Sequence, residues 1–177
     1  MSSRLNRYFS DSDDSLSDSS ESNNSFDKAF SYFTSIPSAY AIRTLHEMGD
    51  QYYQDRKTAY AELQIEGLYD SNGTGTLQSF YIHREYLVSQ SEYFNKIFND
   101  VGSENSLIKI SIPSPDTFEP LLEYLYTGNG DKWYDSLSID NYTGAYENIV
   151  FFGLGKDVMN IWMDFYNTTV DSVNSNV

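Results

Sequence analysis

The spacing of apolar residues along this chain switches between a period of three to four and a period of two. Phe26, Phe30, Phe33 and Ile36 lie three or four apart and predict a short helix, which Pro37 ends. Ser38 offers an N-cap for a second helix with Ile42, Leu45, Met48 and Tyr52 on its apolar face and Gly49 as a weak point. At Thr58 the pattern changes. Residues 60–68 (YAELQIEGL) alternate through Leu63 and Ile65, as a half-buried strand does. The turn-forming run 70–75 (DSNGTG) and a second alternating stretch, 77–82, complete a hairpin.

Helical spacing returns at 87–98, with Leu87, Tyr93, Phe94, Ile97 and Phe98 as core candidates and Ser91 as an N-cap. Ile108, Ile110 and Ile112 then share one face of a third strand, with Leu107 on the other. After Ser114-Pro115 comes the clearest helix, with Phe118, Leu121, Leu122, Leu125 and Tyr126 on one stripe and Gly128 beyond its end. Pro120 favours a late start, capped at Asp116 or Thr117, because it then falls in the first turn. Residues 129–141 read as a loop carrying Trp133 and Leu137, and 142–154 and 157–166 as two more helices. The expected order is helices, two strands, two short helices, one strand and three helices, a helix-rich α+β fold.

Composition narrows the chemistry. The chain has 177 residues with 26 acidic and 11 basic side chains, a net charge of −15. That disfavours nucleic acid and anionic membrane surfaces as partners. There is no cysteine, which excludes disulfides, thiolate metal sites and cysteine nucleophiles, and the two histidines, His46 and His83, are too few for a multi-histidine centre. No stretch approaches the apolar length of a membrane span or of a signal peptide, so a soluble intracellular protein is expected. Residues 10–25 (SDSDDSLSDSSESNNS) hold eight serines, five acidic residues and one apolar residue, a composition that predicts disorder. Ser10 and Ser15 each have Asp three residues on, which suits an acid-directed kinase.

Nucleotide and cofactor sites find little support. Gly73-Thr74-Gly75 lacks the third glycine of a dinucleotide fingerprint. Gly153-Leu154-Gly155-Lys156 has Val150 where a phosphate loop needs glycine and Asp157 where it needs Ser or Thr. No cofactor or metal is expected. His83, between Ile82 and Leu87, reads as a buried imidazole bonding nearby backbone groups and locking the strand-to-helix turn.

The run FYIHREYLVSQSEYFNKIF (80–98), followed by LIKISIPSPDTFEPLLEYLYTG (107–128), resembles the BTB/POZ domain family. The matches are Ile82-His83-Arg84, Leu87, Ser91, Tyr93-Phe94 and Phe98, then Ile108, Ile110, Phe118, Leu121, Leu122, Tyr124, Tyr126, Thr127 and Gly128. Two departures are Glu62, where the family usually has Asp, and Phe151-Phe152-Gly153, where it often has Ala. The resemblance implies a helical cluster flanked by a small three-stranded sheet, and His83, Leu87, Ser91, Tyr93, Phe94, Phe98, Phe118, Leu122 and Tyr126 as its structural motif. It divides the chain into an acidic tail (1–28), a helical extension (29–57), the domain (58–167) and a frayed end (168–177).

By the same resemblance the function is protein–protein interaction without catalysis. A homodimer would use Leu45, Met48 and Tyr52, and a cullin-ligase adaptor would use Asp100, Val101, Glu104 and Tyr126. The alternative is a scaffolding or regulatory dimer that binds partners through the acidic tail or forms mixed dimers.

Overall fold

The computed structural model describes residues 38–69, 75–100 and 106–170. Ser10, Ser15, the stripe from Phe26 to Ile36, the hairpin turn 70–74, Val101 and Glu104 lie outside the described residues. Within them the order is α1 (Ser38–Tyr52), β1 (Ala61–Tyr69), β2 (Gly75–Ile82), α2 (Arg84–Val88), α3 (Glu92–Asp100), β3 (Ser106–Ser111), a 3-10 turn (Pro115–Thr117), α4 (Phe118–Thr127), α5 (Gly130–Ser136), α6 (Tyr142–Phe152) and α7 (Lys156–Phe165). None of these helices is long and apolar enough to cross a membrane.

The three strands form one sheet in the order β2-β1-β3. β1 runs antiparallel to β2, with Leu63 opposite Phe80, and parallel to β3, with Leu63 beside Ile108. Period-two alternation sends Ala61, Leu63, Ile65, Phe80, Ile82, Ile108 and Ile110 inward. Glu62, Gln64 and Ser79 take the other face, where the Ser79 hydroxyl donates to Glu62. A run of rings joins the sheet to the helices: Phe80 meets Phe118 at 5.1 Å, Phe118 meets Phe152 at 5.4 Å, and Phe94 stacks on Phe152 at 5.1 Å. Each buried ring contributes roughly 1.5–3 kcal/mol through the surface it removes from water.

The α4 helix starts late. Pro115–Thr117 winds as a 3-10 turn, Thr117 is the N-cap, and Pro120 falls in the first α-helical turn, where no amide hydrogen is missed. Gly128 closes it in the left-handed conformation at φ 65, and its amide donates to the Tyr124 carbonyl. Gly153 likewise stops α6, so the 153–156 run is a helix-to-helix joint.

Two expectations are corrected. Residues 129–141 are not simply a loop: Gly130–Ser136 is a helix. The Asn129 side chain caps it by accepting from the Lys132 amide, and Trp133 and Leu137, four apart, are buried on one face. Gly49 is no weak point. A Cβ there would overlap the Tyr126 carbonyl oxygen, so glycine is what lets α1 lie against α4. Beyond α7, Tyr166–Val170 winds as a π-helical turn in which the Thr168 hydroxyl lies 2.8 Å from that of Tyr134, and residues 171–177 lie outside the described residues.

Between α1 and β1, Gln54 takes a left-handed backbone at φ 59, a conformation that costs a non-glycine residue about 1 kcal/mol. From there its side-chain Oε1 accepts the Tyr81 amide at 2.9 Å, on the side of β2 away from β1.

Candidate interaction site

His83 stands at the junction of β2 and α2, 5% exposed. Its backbone N–H donates to the Tyr126 hydroxyl at 2.7 Å, and its Nδ1 lies 3.0 Å from the same oxygen. On the opposite edge of the ring, Nε2 lies 2.9 Å from the Thr58 hydroxyl, which itself donates to Asp55 Oδ2 at 2.7 Å. One proton assignment satisfies every group. Thr58 spends its hydrogen on Asp55, so Nε2–H donates to Thr58, and Tyr126 donates to the bare Nδ1. The imidazole therefore binds side chains rather than the neighbouring backbone groups expected of it. Burial lowers its pKa, and Asp55 opposes that shift.

Tyr126 is fully buried and lies flat on Tyr86, with ring centroids 4.3 Å apart and planes 8° from parallel. Burial raises both phenols, Tyr86 to about 12. The Tyr86 hydroxyl donates to the Leu45 carbonyl of α1 at 3.0 Å, and Tyr52 of α1 meets the His83 ring edge-on at 5.6 Å. Gln90 adds a second tie. Its amide donates to the carbonyls of Tyr86 (2.8 Å) and Leu125 (2.6 Å), and its oxygen faces His46 Nε2 at 3.3 Å. The inner side of α1 is thus bonded to α2 and α4 through a buried polar cluster.

The outer side of α1 presents Tyr40, 63% exposed, and Met48, 41% exposed, with the exposed pair Arg43 and Glu47 between them. Further exposed apolar residues are Leu77 and Leu107 on the outer sheet face, and Tyr146, Val150 and Met163 on α6 and α7. The predicted dimer trio divides: Leu45 is buried in the core, Tyr52 is half-buried against His83 and Tyr86, and Met48 is on the surface. Tyr126 cannot supply contact surface for a cullin, since the helical period that aligns it with Leu122 turns it inward. Asp100 ends α3, and its companions Val101 and Glu104 lie beyond the described residues.

The structural motif residues come together. Leu87, Phe94, Phe98, Phe118 and Leu122 are buried in one cluster, with Tyr93 packed at its edge on Phe151. Ser91 acts as a cap and also as a tie: its hydroxyl accepts from the Phe94 amide at 3.2 Å and donates to the Phe152 carbonyl at 2.6 Å. Sequence reasoning missed Asn148, which is fully buried. Its amide donates to the Ser114 carbonyl (2.6 Å) and the Thr117 hydroxyl (2.8 Å), and its oxygen accepts from the Ser114 amide (3.1 Å). The available signal was a polar side chain on the same stripe as Ala145, Ile149 and Phe152. Tyr86 and Gln90 were missed because their partners are distant in sequence.

Among the described residues, no group of three or more His, Asp or Glu is placed to hold a metal ion. Residues 74–140 match the family described as BTB/POZ domain. Among solved structures, the BTB domain of zebrafish PATZ1 is similar at a TM-score of 0.52 and 18% identity, over 76% of this chain and 97% of that one. The mixed α/β architecture, helices around a small three-stranded sheet, matches a BTB domain fold. Residues 74–140 thus carry the match to the BTB/POZ domain, a protein–protein interaction module, on a fold that agrees with it.

Proposed function

We propose that this chain is an intracellular homodimerising adaptor that uses the outer face of α1 for self-association and recruits substrates to a cullin-based ubiquitin ligase. The observation that carries the reading is on α1: Tyr40 and Met48 stand in solvent on a helix whose other side is anchored by Gly49, Leu45 and Tyr52. A partner helix laid along this side would bury both side chains, with the Arg43–Glu47 pair between them. The family resemblance supplies the cullin step, at the segment from Asp100 to Glu104. The charge of −15 supports a protein partner over nucleic acid or an anionic membrane. No catalytic activity is assigned.

Sedimentation of the full chain at micromolar concentration tests self-association. A dimer that Y40D/M48D converts to monomer supports the reading, and a wild-type monomer overturns it. Capture of a cullin N-terminal domain, lost in Val101→Asp, tests the ligase step.

A second reading follows from the charge density of residues 10–25: the acidic, serine-rich tail binds the partner, with Ser10 and Ser15 as phosphorylation sites. Partner capture by the full chain that 29–177 loses would favour it.

A further inference from the structure

Both histidines of this chain sit where α1 and the segment after it meet the rest of the domain. His46 is on α1 itself, facing Gln90. His83 lies beneath the C-terminal turn of α1, and the Thr58–Asp55 pair bonded to it belongs to the connection from α1 to β1. We propose that His83 is a proton-sensitive latch: its neutral imidazole holds the α1–β1 connection to α4, and protonation frees the C-terminal end of α1 from the domain.

The geometry of hydrogen donors carries this. In the neutral state the bonds run in one direction, from Tyr126 O–H to Nδ1 and from Nε2–H through Thr58 to Asp55. An added proton on Nδ1 points at the Tyr126 oxygen, which already accepts the His83 amide at 2.7 Å. The Tyr126 hydroxyl hydrogen then loses its acceptor inside a fully buried site, against the face of Tyr86. Leaving a buried donor unpaired is unfavourable, and moving the connection away removes the conflict.

The surroundings set the balance. The titratable groups facing the imidazole are Tyr52 from α1, Asp55 from the connection, Tyr86 from α2 (next to Glu85) and Tyr126 from α4. Asp55 is the carboxylate that favours the charged ring, and it acts across the Thr58 hydroxyl from a site open to solvent. Burial also lowers the pKa of His46 on α1, where its contacts with Gln90 and the Leu125 carbonyl oppose that shift. The latch does not depend on self-association: it concerns contacts within one chain.

Hydrogen exchange read by mass spectrometry on the full chain, corrected for intrinsic rates, tests this from about pH 7.5 to about pH 5, the range in which an imidazole titrates. The expected result is protection of residues 45–58 that falls as the pH drops, roughly tenfold for each unit by which His83 binds its proton more weakly when latched, while β1 and β3 keep theirs. D55N keeps an acceptor for Thr58 but removes the charge that steadies the protonated ring in the latched state, so it enlarges the loss of protection at pH 5. H83Q reduces the pH dependence of protection at 45–58 to the part that His46 supplies. Protection that stays level in wild type, or falls equally in β1 and β3, overturns the latch. So does a D55N loss at pH 5 no larger than that of wild type. The D55N comparison decides the matter should H83Q not fold.

Discussion

The hydroxyl of Tyr126 lies 2.7 Å from the backbone nitrogen of His83 and 3.0 Å from its Nδ1, so one phenol serves both donor and acceptor of a residue 43 positions earlier. This bond closes the sheet end of the domain onto α4, and α1 is laid over it. The predictions below follow from the groups it brings together.

Tyr126→Phe keeps the stack on Tyr86 and removes only the oxygen. The His83 amide and Nδ1 are then both left unpaired in a buried site. Stability should fall by roughly 2–4 kcal/mol, the cost of two such groups at about 1–2 kcal/mol each, measured as a drop in the urea midpoint with an unchanged slope. A loss below about 0.5 kcal/mol, the range of neutral surface changes, would mean that water replaces the hydroxyl.

Gly49→Ala tests close approach against helix propensity. Alanine favours an exposed helix over glycine by about 1 kcal/mol, so propensity alone predicts a higher melting temperature. The overlap with the Tyr126 carbonyl predicts the opposite, a loss of roughly 1–3 kcal/mol as α1 shifts outward. Differential scanning calorimetry reads the sign directly.

Asn148→Ala removes three hydrogen bonds and strands the Ser114 amide between β3 and the 3-10 turn. The expected loss is roughly 2–3 kcal/mol, that of an unsatisfied buried group with partial relaxation of the turn. Asn148→Asp should be at least as damaging, since the carboxylate has no hydrogen to give the Ser114 carbonyl. Equal stability of the two variants and wild type in urea titration would assign no role to this network.

Stability should also depend on pH in two windows. Burial lowers the pKa of His83 and of His46 below the ordinary 6.5. The unfolded chain then takes up protons before the folded chain does, so stability is full above pH 6.5 and declines as the pH falls from there toward the lowered values. Hydrogen bonds from Thr58 and the Lys57 amide lower Asp55, and bonds from Ser79 and Gln64 lower Glu62. Their contribution is present above the ordinary carboxylate values of 3.8 and 4.5 and is lost as the pH falls through the lowered ones. Urea midpoints recorded across that range should show the first decline in wild type and a smaller one in His83→Gln.

The strands, their inward faces and the late start of α4 were legible in the sequence, because each depends on spacing within a few residues. The burial of His83 was legible too, from its apolar flanks. Its partners were not: Thr58 and Tyr126 are 25 and 43 positions away, and only the fold brings them to the ring. Tyr126 illustrates the conflict between two kinds of reading. Its stripe with Leu122 put it in the core, while family resemblance put it on a contact face, and the stripe prevailed. Helix α5 was missed because seven residues beginning with glycine give too few turns for a period to emerge, so its Asn129 cap was the available sign. Gly49 was misjudged because propensity counts what a residue does for its own helix, not what approaches it.

A last consequence concerns Gln54. By accepting the Tyr81 amide it occupies one outward-pointing donor of β2, a strand at the border of the sheet. A foreign strand seeking to extend the sheet on that side would have to evict the glutamine first. Ribbon-like polymerisation, in which sheets of successive molecules join border to border, therefore meets an obstacle at one of its two required surfaces. A protein whose work is to associate with others is guarded there against associating without limit.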